Sequence, residues 1–125
     1  MADALAAEFW QGCAQGELRY QRCGGCGAAQ FHPRPFCARC GGTPRWAVSR
    51  GLGTVYAATQ VARAPTPDFA ALLPYDILLV DLDEGFRMMA QGAPGLRIGE
   101  RVRIAFRRQG ERALPRFERH QEDPR

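Results

Sequence analysis

Four cysteines in two matched pairs constrain the fold of this chain more than any other feature. The pairs read Cys23-Gly-Gly-Cys26 and Cys37-Ala-Arg-Cys40, and a glycine follows each of them. One Cys-x-x-Cys turn can direct two thiolates at a metal ion, and two such turns complete a tetrahedron of four sulfurs. The following glycine suits a turn whose backbone conformation side chains resist. The spacing therefore predicts a structural metal site at Cys23, Cys26, Cys37 and Cys40.

Zinc is the ion we expect, because a closed set of four sulfurs is the usual coordination of structural zinc. Iron in a rubredoxin-like site is the main alternative, since iron also accepts tetrahedral thiolates. Two disulfides would need an oxidising compartment, and no secretory signal is visible in the first residues. A thioredoxin-like redox pair would explain one motif and not its twin. The fifth cysteine, Cys13, falls in an apolar helical pattern and is predicted to be a buried free thiol.

The remaining patterns divide the 125 residues into four parts. In residues 1–17 the spacing of apolar residues predicts a helix capped by Asp3, with Phe9 and Trp10 on its apolar stripe. Such a stripe can pack on its own domain or against a partner protein, and partner docking is the role we assign to it. Residues 18–45 form the cysteine module, whose stability must come mainly from the metal because it has little apolar area to bury.

Residues 46–118 change to a pattern of short strands, and residues 119–125 predict a frayed tail. A long first strand is expected over 46–61, with glycines inside it that mark a bulge or bend. Further strands are expected at 75–82, 86–91, 101–106 and 113–117, with a hairpin turn at 83–85. Five short strands around a tight hairpin predict a small barrel of the oligonucleotide/oligosaccharide-binding (OB) type. The expected fold is thus mainly β: an N-terminal helix, a rubredoxin-like zinc ribbon and a five-stranded OB-fold barrel.

Charge and hydropathy argue against a basic nucleic-acid-binding tail and against a membrane-spanning helix. All 17 basic residues are arginine, and the formal net charge is +4. A compositional bias of the source genome is one explanation, and recognition of an anionic ligand by guanidinium forks is the other. No basic block of the nucleic-acid-tail kind occurs. No apolar run approaches the ~20 residues that a membrane span needs, so we expect a soluble, cytoplasmic protein.

Several segments together resemble the DUF35 family, a rubredoxin-like zinc ribbon followed by an OB-fold barrel. The matching segments are Phe9-Trp10, Leu18-Arg-Tyr-Gln-Arg-Cys-Gly-Gly-Cys26, Phe31-His-Pro-Arg-Pro-Phe-Cys-Ala-Arg-Cys-Gly41, Gly53-Thr-Val-Tyr56, Pro74-Tyr75, Val80-Asp-Leu-Asp-Glu-Gly85, Ile98-Gly99 and Leu114-Pro-Arg-Phe117. The resemblance covers about residues 8–118. The chain departs from the family in the first barrel strand, where Ser49-Arg50-Gly51 stands in place of the Ser-Gly that members often show.

The resemblance implies a non-catalytic auxiliary subunit that binds acyl-CoA within a thiolase-superfamily complex of thiolase, aldolase or acyltransferase type. The thiolase-like partner would supply the catalytic residues, so a hetero-oligomer is expected. Some members look like partners of hotdog-fold enoyl-CoA hydratases instead. For the CoA thioester the candidate contacts are Arg34, Phe36 and Arg39, because arginines near an aromatic surface can meet phosphates and stack on adenine.

The residues themselves predict no enzyme active site. The sequence contains no Gly-x-Ser-x-Gly elbow, Gly-rich phosphate loop or His-Glu-x-x-His motif. Asp81, Asp83 and Glu84 could perform acid–base chemistry, but their place on a hairpin favours solvated turn residues. We therefore expect no catalysis by the chain alone. His32 is predicted to be a rim residue and not a metal ligand.

A function of another class, single-stranded nucleic-acid binding, depends on aromatic side chains of the barrel. Tyr56, Phe86 and Phe106 could stack on bases, as aromatics do in other OB folds. Acidic residues on the same strands would repel phosphate, so we do not expect nucleic acid as the partner.

Overall fold

The computed structural model describes residues 2–62, 75–109 and 112–120. In chain order the elements are α1 (Ala2–Ala14), β1 (Leu18–Cys23), β2 (Ala29–Gln30), β3 (Pro44–Ser49), β4 (Leu52–Val61), β5 (Tyr75–Leu82), β6 (Arg87–Gly92), β7 (Arg101–Gln109) and β8 (Arg112–Arg119). The strands form a small three-stranded sheet and a closed barrel. The predicted mainly β fold, with one N-terminal helix, is confirmed.

The small sheet carries the cysteine module and has the antiparallel order β2-β1-β3. Strand β3 pairs along the whole of β1, from Leu18 opposite Ser49 to Cys23 opposite Pro44. The prediction of one strand over 46–61 is therefore wrong, because its first part belongs to the ribbon sheet. The chain leaves that sheet at Gly51, whose φ of 76° ends the strand.

The barrel has the strand order β4-β5-β6-β8-β7 and closes through pairing of β4 with β7. Strands β6 and β8 are parallel, and the other neighbours are antiparallel. The predicted five-stranded OB barrel is confirmed, as is the hairpin turn, where Gly85 has a φ of 100°. The bulge in β4 lies at Tyr56, between Val55 and Ala57.

Gly53 is not the site of that bulge. Instead, its missing side chain lets β4 lie close to β5. A Cβ at this position would lie 2.6 Å from the Asp81 carbonyl oxygen and 2.7 Å from Cγ1 of Val80. A glycine inside a strand often marks such a close approach of backbones.

The barrel core follows from alternation along the strands. Leu78, Val80 and Leu82 of β5 face inward and are buried, while the residues between them are partly exposed. They meet other buried apolar side chains: Val55, Met88, Ala90, Leu96, Val102 and Phe117. Burying each large apolar side chain contributes roughly 1.5–3 kcal/mol, so the barrel has a core that needs no metal.

Helix α1 packs against β1 and β8. It begins at Ala2, so Asp3 lies inside the helix and the predicted N-cap is wrong. Alanine is the best helix former, and this start of the chain is alanine-rich, which extends the helix. Cys13 is 1% exposed and unpaired, which confirms the predicted buried thiol.

No helix in the described ranges is long and apolar enough to cross a membrane. The predicted tail at 119–125 lies mostly outside the described residues, and β8 extends into its first residue.

Candidate metal centre

Two similar knuckles present the four cysteines. In each, the N–H of the first cysteine donates to the carbonyl five residues on, at 2.9 Å for Cys23 and 2.8 Å for Cys37. The glycine four residues after that cysteine donates back to its carbonyl, at 3.1 Å for Gly27 and 2.9 Å for Gly41. Both glycines have positive φ, 77° and 79°, which explains why glycine follows each pair.

The four Sγ atoms all lie within 4.8 Å of one another. Across the knuckles, the sulfurs of Cys23 and Cys40 are 3.5 Å apart, and those of Cys26 and Cys37 are 3.7 Å apart. A tetrahedral ion with metal–sulfur bonds of about 2.3 Å holds its sulfurs about 3.8 Å apart. The sulfur set therefore fits such an ion. Exposed His32 is not part of this cluster.

Backbone amides surround the sulfurs and change their acidity. Hydrogen bonds from the N–H groups of Cys26 and Gly25 lower the pKa of Cys23 to about 6. The pKa of Cys37 is lowered by the N–H groups of Cys40 and Arg39. Since the thiolate is the form that binds metal, the lowered pKa of each of these two sulfurs favours coordination.

Cys40 differs from its neighbours. The N–H of Gly42 favours its thiolate, but hydrogen bonds with Cys23 and Cys26, together with burial, outweigh that effect and raise the pKa of Cys40 to about 11. Gly42 itself lies against the cluster, because a Cβ there would be 3.0 Å from Sγ of Cys23 and 3.3 Å from Sγ of Cys40.

A buried glutamine fixes the segment between the knuckles. Gln21 is 2% exposed, and its Oε1 accepts from the Arg34 N–H at 2.9 Å while its Nε2 donates to the Arg34 carbonyl at 3.1 Å. Gln30 donates to the same Oε1 at 2.6 Å and accepts from the Ala38 N–H at 3.1 Å. Sequence reasoning missed both glutamines. The available signal was a glutamine in an otherwise buried strand, beside a proline-rich segment that cannot pair as a strand.

The candidate CoA contacts all lie on the surface of this module. Arg34 and Arg39 are exposed, and Phe36 is 53% exposed. Arg34 and Phe36 share the segment that the glutamines fix, whereas Arg39 belongs to the second knuckle, where its N–H donates to Sγ of Cys37. Phe31, the other aromatic residue near Arg34 in the sequence, packs inward against Phe86.

Inward-facing rings join the helix, the ribbon and the barrel. Phe86 of the barrel stacks on Tyr20 with ring centroids 4.7 Å apart, and on Phe31 at 5.7 Å with planes 4° apart. Phe31 meets Phe9 of α1 edge-on at 5.4 Å, and Phe9 meets Trp10 at 5.0 Å. We call these five residues the aromatic stack. Part of the apolar stripe of α1 is thus covered within the chain.

The same contacts weaken the nucleic-acid hypothesis. Phe86 is 5% exposed inside the aromatic stack, so it cannot receive a base. The guanidinium of Arg87 covers the Tyr56 ring at 3.5 Å, and Phe106 packs partly against the core.

The hairpin aspartates form ion pairs at the surface. The Arg87 side chain donates to both carboxylate oxygens of Asp81, at 2.6 and 3.2 Å. Arg101 donates to both oxygens of Asp83, each at 2.8 Å. These partners lower the pKa of both carboxyl groups. A general acid needs a raised pKa, so neither aspartate is prepared for that role.

Glu84 holds the corner between the two sheets. Its carboxylate accepts from the Ser49 hydroxyl at 2.7 Å and from the Arg50 N–H at 2.8 Å. Its own carbonyl accepts from the Arg22 guanidinium of the ribbon at 3.1 Å. The side chain is therefore structural, a role that its position on a turn did not reveal.

Two family models match consecutive parts of the chain. Residues 10–45 match the model described as the rubredoxin-like zinc ribbon domain of ChsH2. Residues 46–107 match the model described as the C-terminal OB-fold domain of ChsH2. Together they cover the metal module and most of the barrel.

Two curated proteins resemble the chain. A probable enoyl-CoA hydratase alpha subunit from Thermomonospora curvata is 35% identical over 83 residues, which is 65% of this chain and 25% of that protein. A DUF35 domain-containing scaffold protein from Methanocaldococcus jannaschii is 33% identical over 93 residues, 70% of this chain and 65% of that protein. The match thus spans a quarter of the first protein and just under two thirds of the second.

Solved structures share the fold. One is described as the Ltp2-ChsH2(DUF35) aldolase; the match has a TM-score of 0.79 and 30% identity, and covers 90% of this chain and 92% of that one. A DUF35 protein of unknown function from Sulfolobus solfataricus matches with a TM-score of 0.63 and 14% identity, over 94% and 95% of the two chains. The second likeness concerns the fold alone.

Proposed function

This chain belongs to the DUF35 family, and from that membership we propose that it is a non-catalytic, acyl-CoA-binding auxiliary subunit of a thiolase-superfamily enzyme complex. The observation that carries the proposal is the likeness, over nine tenths of the chain, to the DUF35 structure described as part of an aldolase. A hetero-oligomer with a thiolase-like catalytic subunit follows from it.

The chemistry of the described residues agrees with an auxiliary role. Four sulfurs close the coordination of an ion, so zinc at this site would have no open position for substrate or water. Such zinc would hold the ribbon together. The carboxylates of the hairpin are engaged in ion pairs and in the corner between the sheets. Catalytic groups are therefore expected on the partner.

The proposed acyl-CoA contacts are Arg34, Phe36 and Arg39. Within the described residues, the guanidinium groups of Arg34 and Arg39 have no carboxylate partner, and the Phe36 ring offers a flat apolar face. Arginine can bind phosphate through two parallel hydrogen bonds, and aromatic faces suit the adenine of CoA. Because the metal module fixes their backbones, only the side chains of these residues would lose conformational freedom when a ligand binds.

A hotdog-fold enoyl-CoA hydratase is the second candidate partner. The observation that favours it is the identity of 35% to the probable enoyl-CoA hydratase alpha subunit. For either partner, residues 1–17 are the proposed docking segment, because Phe9 and Trp10 remain partly exposed beside the aromatic stack.

Co-expression with the neighbouring genes and identification of what co-purifies would test the partner. We expect a thiolase-like protein, whose turnover of CoA thioesters requires this chain. In that complex, the double variant Arg34→Gln/Arg39→Gln should weaken CoA thioester binding, while Arg45→Gln, on the exposed edge of the ribbon, should not. A stable monomer with no affinity for such a partner or for CoA thioesters would refute the proposal.

A further inference from the structure

The outer face of the paired strands β7 and β8 is rich in arginine. Alternation places Arg103, Ala105 and Arg107 on one face of β7. The residues opposite them on β8 are Glu118, Arg116 and Leu114. The other face of the pair enters the core, where Val102 and Phe117 are fully buried. Three arginines and one carboxylate therefore share the outward face.

Two neighbouring hollows lie along this face. One, of about 440 Å³, is lined by Arg103, Glu118, Arg119 and His120. The other, of about 350 Å³, is lined by Ala105, Phe106, Arg107, Arg116 and Glu118. Glu118 borders both, so the hollows are adjacent. The short side chain of Ala105 opposite Arg116 helps to create the space.

The arginines of this face differ from those elsewhere on the barrel. Arg87, Arg101 and Arg119 each pair with a carboxylate. In the described part of the chain, Arg103, Arg107 and Arg116 form no ion pair within 4.0 Å. Their charge is thus available to a ligand.

Each hollow is also lined by a residue that has a buried polar atom without a partner. Nε of Arg116 and Nδ1 of His120 are buried and form no hydrogen bond in the described structure. Guanidinium nitrogens are donors only, so the Nε–H of Arg116 can be satisfied only by an acceptor that comes from outside. Buried polar atoms that stay unsatisfied are rare and call for an explanation such as an absent ligand.

We propose that this face, centred on Arg103, Arg107 and Arg116, binds a ligand through its phosphate groups. Guanidinium forks match phosphate oxygens and form strong charge-assisted hydrogen bonds with them. The size of the hollows falls within the range of small-molecule sites, which favours a compact polyphosphate or nucleotide. The site is separate from the proposed CoA contacts on the ribbon, and it does not depend on them.

Isothermal titration of the full, metal-loaded chain with inorganic pyrophosphate tests the proposal. We expect saturable binding that weakens as salt rises, because the contacts are ionic. The double variant Arg103→Gln/Arg116→Gln should raise the Kd at least about tenfold. Arg45→Gln is the control and should leave the Kd unchanged. No binding by the unchanged chain, or an equal loss in the control, would overturn the proposal.

Loss of half-buried Arg116 could also disturb folding, so a second variant keeps every arginine. Ala105→Glu places a carboxylate opposite Arg116 in the hollow and should abolish pyrophosphate binding while the circular dichroism spectrum stays unchanged. Retained binding in this folded variant would contradict the proposal.

Three ligands compared in parallel identify the source of the phosphate. Binding of pyrophosphate alone would indicate a free anion. Tighter binding of coenzyme A and adenosine 3′,5′-bisphosphate, lost in Arg103→Gln/Arg116→Gln and kept in Arg34→Gln, would indicate the nucleotide end of CoA. Loss of both pyrophosphate and CoA binding in Arg34→Gln, with both kept in Arg103→Gln/Arg116→Gln, would refute this site and support the ribbon contacts instead.

Discussion

The five cysteines of this chain differ in the pKa of their thiols because their surroundings differ. Burial in the apolar contact of α1 raises the pKa of Cys13 to about 11. In the first knuckle, amide N–H groups lower the pKa of Cys23 to about 6. Metal ligation requires the thiolate, which the backbone favours at Cys23. The pKa of Cys40 is raised to about 11, like that of Cys13, so what separates Cys40 from the core thiol is its place among four clustered sulfurs.

Replacing a candidate ligand should release the metal. We expect Cys37→Ser to bind far less zinc than the unchanged chain, because one sulfur of the closed tetrahedron is lost. Elemental analysis of freshly purified protein measures this, and a visible absorption band would identify iron instead. Cys13→Ala is the matched control and should keep about one ion per chain. Equal metal content in both variants would exclude the four-sulfur site.

The acidity of Asp81 should depend on Arg87. The guanidinium holds the pKa of this carboxyl below its ordinary 3.8. The pair therefore contributes stability above the unfolded-state pKa, and that contribution is lost as the pH falls through the lower folded-state pKa. Both side chains are about half exposed, 46% and 47%, so the contribution is small.

Arg87→Gln removes this partner and should raise the Asp81 pKa toward 3.8. Carboxyl resonances followed by NMR between about pH 2 and 6 would show the change. Asp83, whose partner is Arg101, is the internal control and should titrate as before. An unchanged Asp81 curve would mean that the ion pair does not persist in solution.

Among the elements, the corner between β3 and β4 depends most on a single residue. Gly51 has a φ of 76°, and a Cβ there would overlap the Cγ2 methyl of Ile104. Its carbonyl also accepts from the Ile104 N–H at 2.8 Å. The turn into the barrel is thus held against β7 by both shape and a hydrogen bond.

Gly51→Ala should destabilise the fold more than Gly95→Ala does. Both glycines have positive φ, 76° and 83°, so both substitutions carry the cost of a left-handed backbone, roughly 1–2 kcal/mol. Only Gly51 is crowded, since nothing lies near a Cβ at Gly95. Urea unfolding of both variants measures the difference, and equal losses would show that Ile104 moves aside easily.

Helices, strands and turns could be predicted from the sequence wherever the pattern that indicates them lies in neighbouring residues. The cysteine knuckles depend on spacing and glycine, and β5 to β8 on alternation and a hairpin turn, so both could be located without a structure. The division of 46–61 into two strands could not, because its first part pairs with β1 of the ribbon, a strand that is remote in sequence. For the same reason Gln21, Gln30 and Glu84 were missed, since their partners come from other elements.

At the scale of the whole molecule, the aromatic stack couples the metal module to the barrel. Tyr20 and Phe31 of the ribbon stack on Phe86 of the barrel, so order in one part supports order in the other. Most buried residues of the shared apolar core nevertheless belong to the barrel, and only Leu18 and Tyr20 come from the ribbon, so we expect the barrel to stay folded when the ribbon loosens.

Metal removal should therefore loosen the molecule unevenly. After treatment with a chelator, we expect faster amide hydrogen exchange in β1 and near Phe86, and little change in the centre of β5, where Leu78 and Val80 are fully buried. Exchange measured by mass spectrometry with and without zinc tests this. A uniform loss of protection along the chain would show instead that ribbon and barrel unfold as one cooperative unit.

The corner at Arg50 and Gly51 has one more consequence. In the described chain these two residues are the only covalent passage from the ribbon to the barrel, and two residues span at most about 7 Å. The Glu84 carboxylate accepts a hydrogen bond from the Arg50 N–H, and Arg22 of the ribbon donates to the Glu84 carbonyl. The short connection and the aromatic stack therefore restrict how the ribbon and the barrel can move relative to each other. A partner protein that binds either the ribbon or the barrel therefore also fixes the orientation of the other module. A longer linker inserted at Arg50 and Gly51 should remove this coupling between partner binding and module orientation.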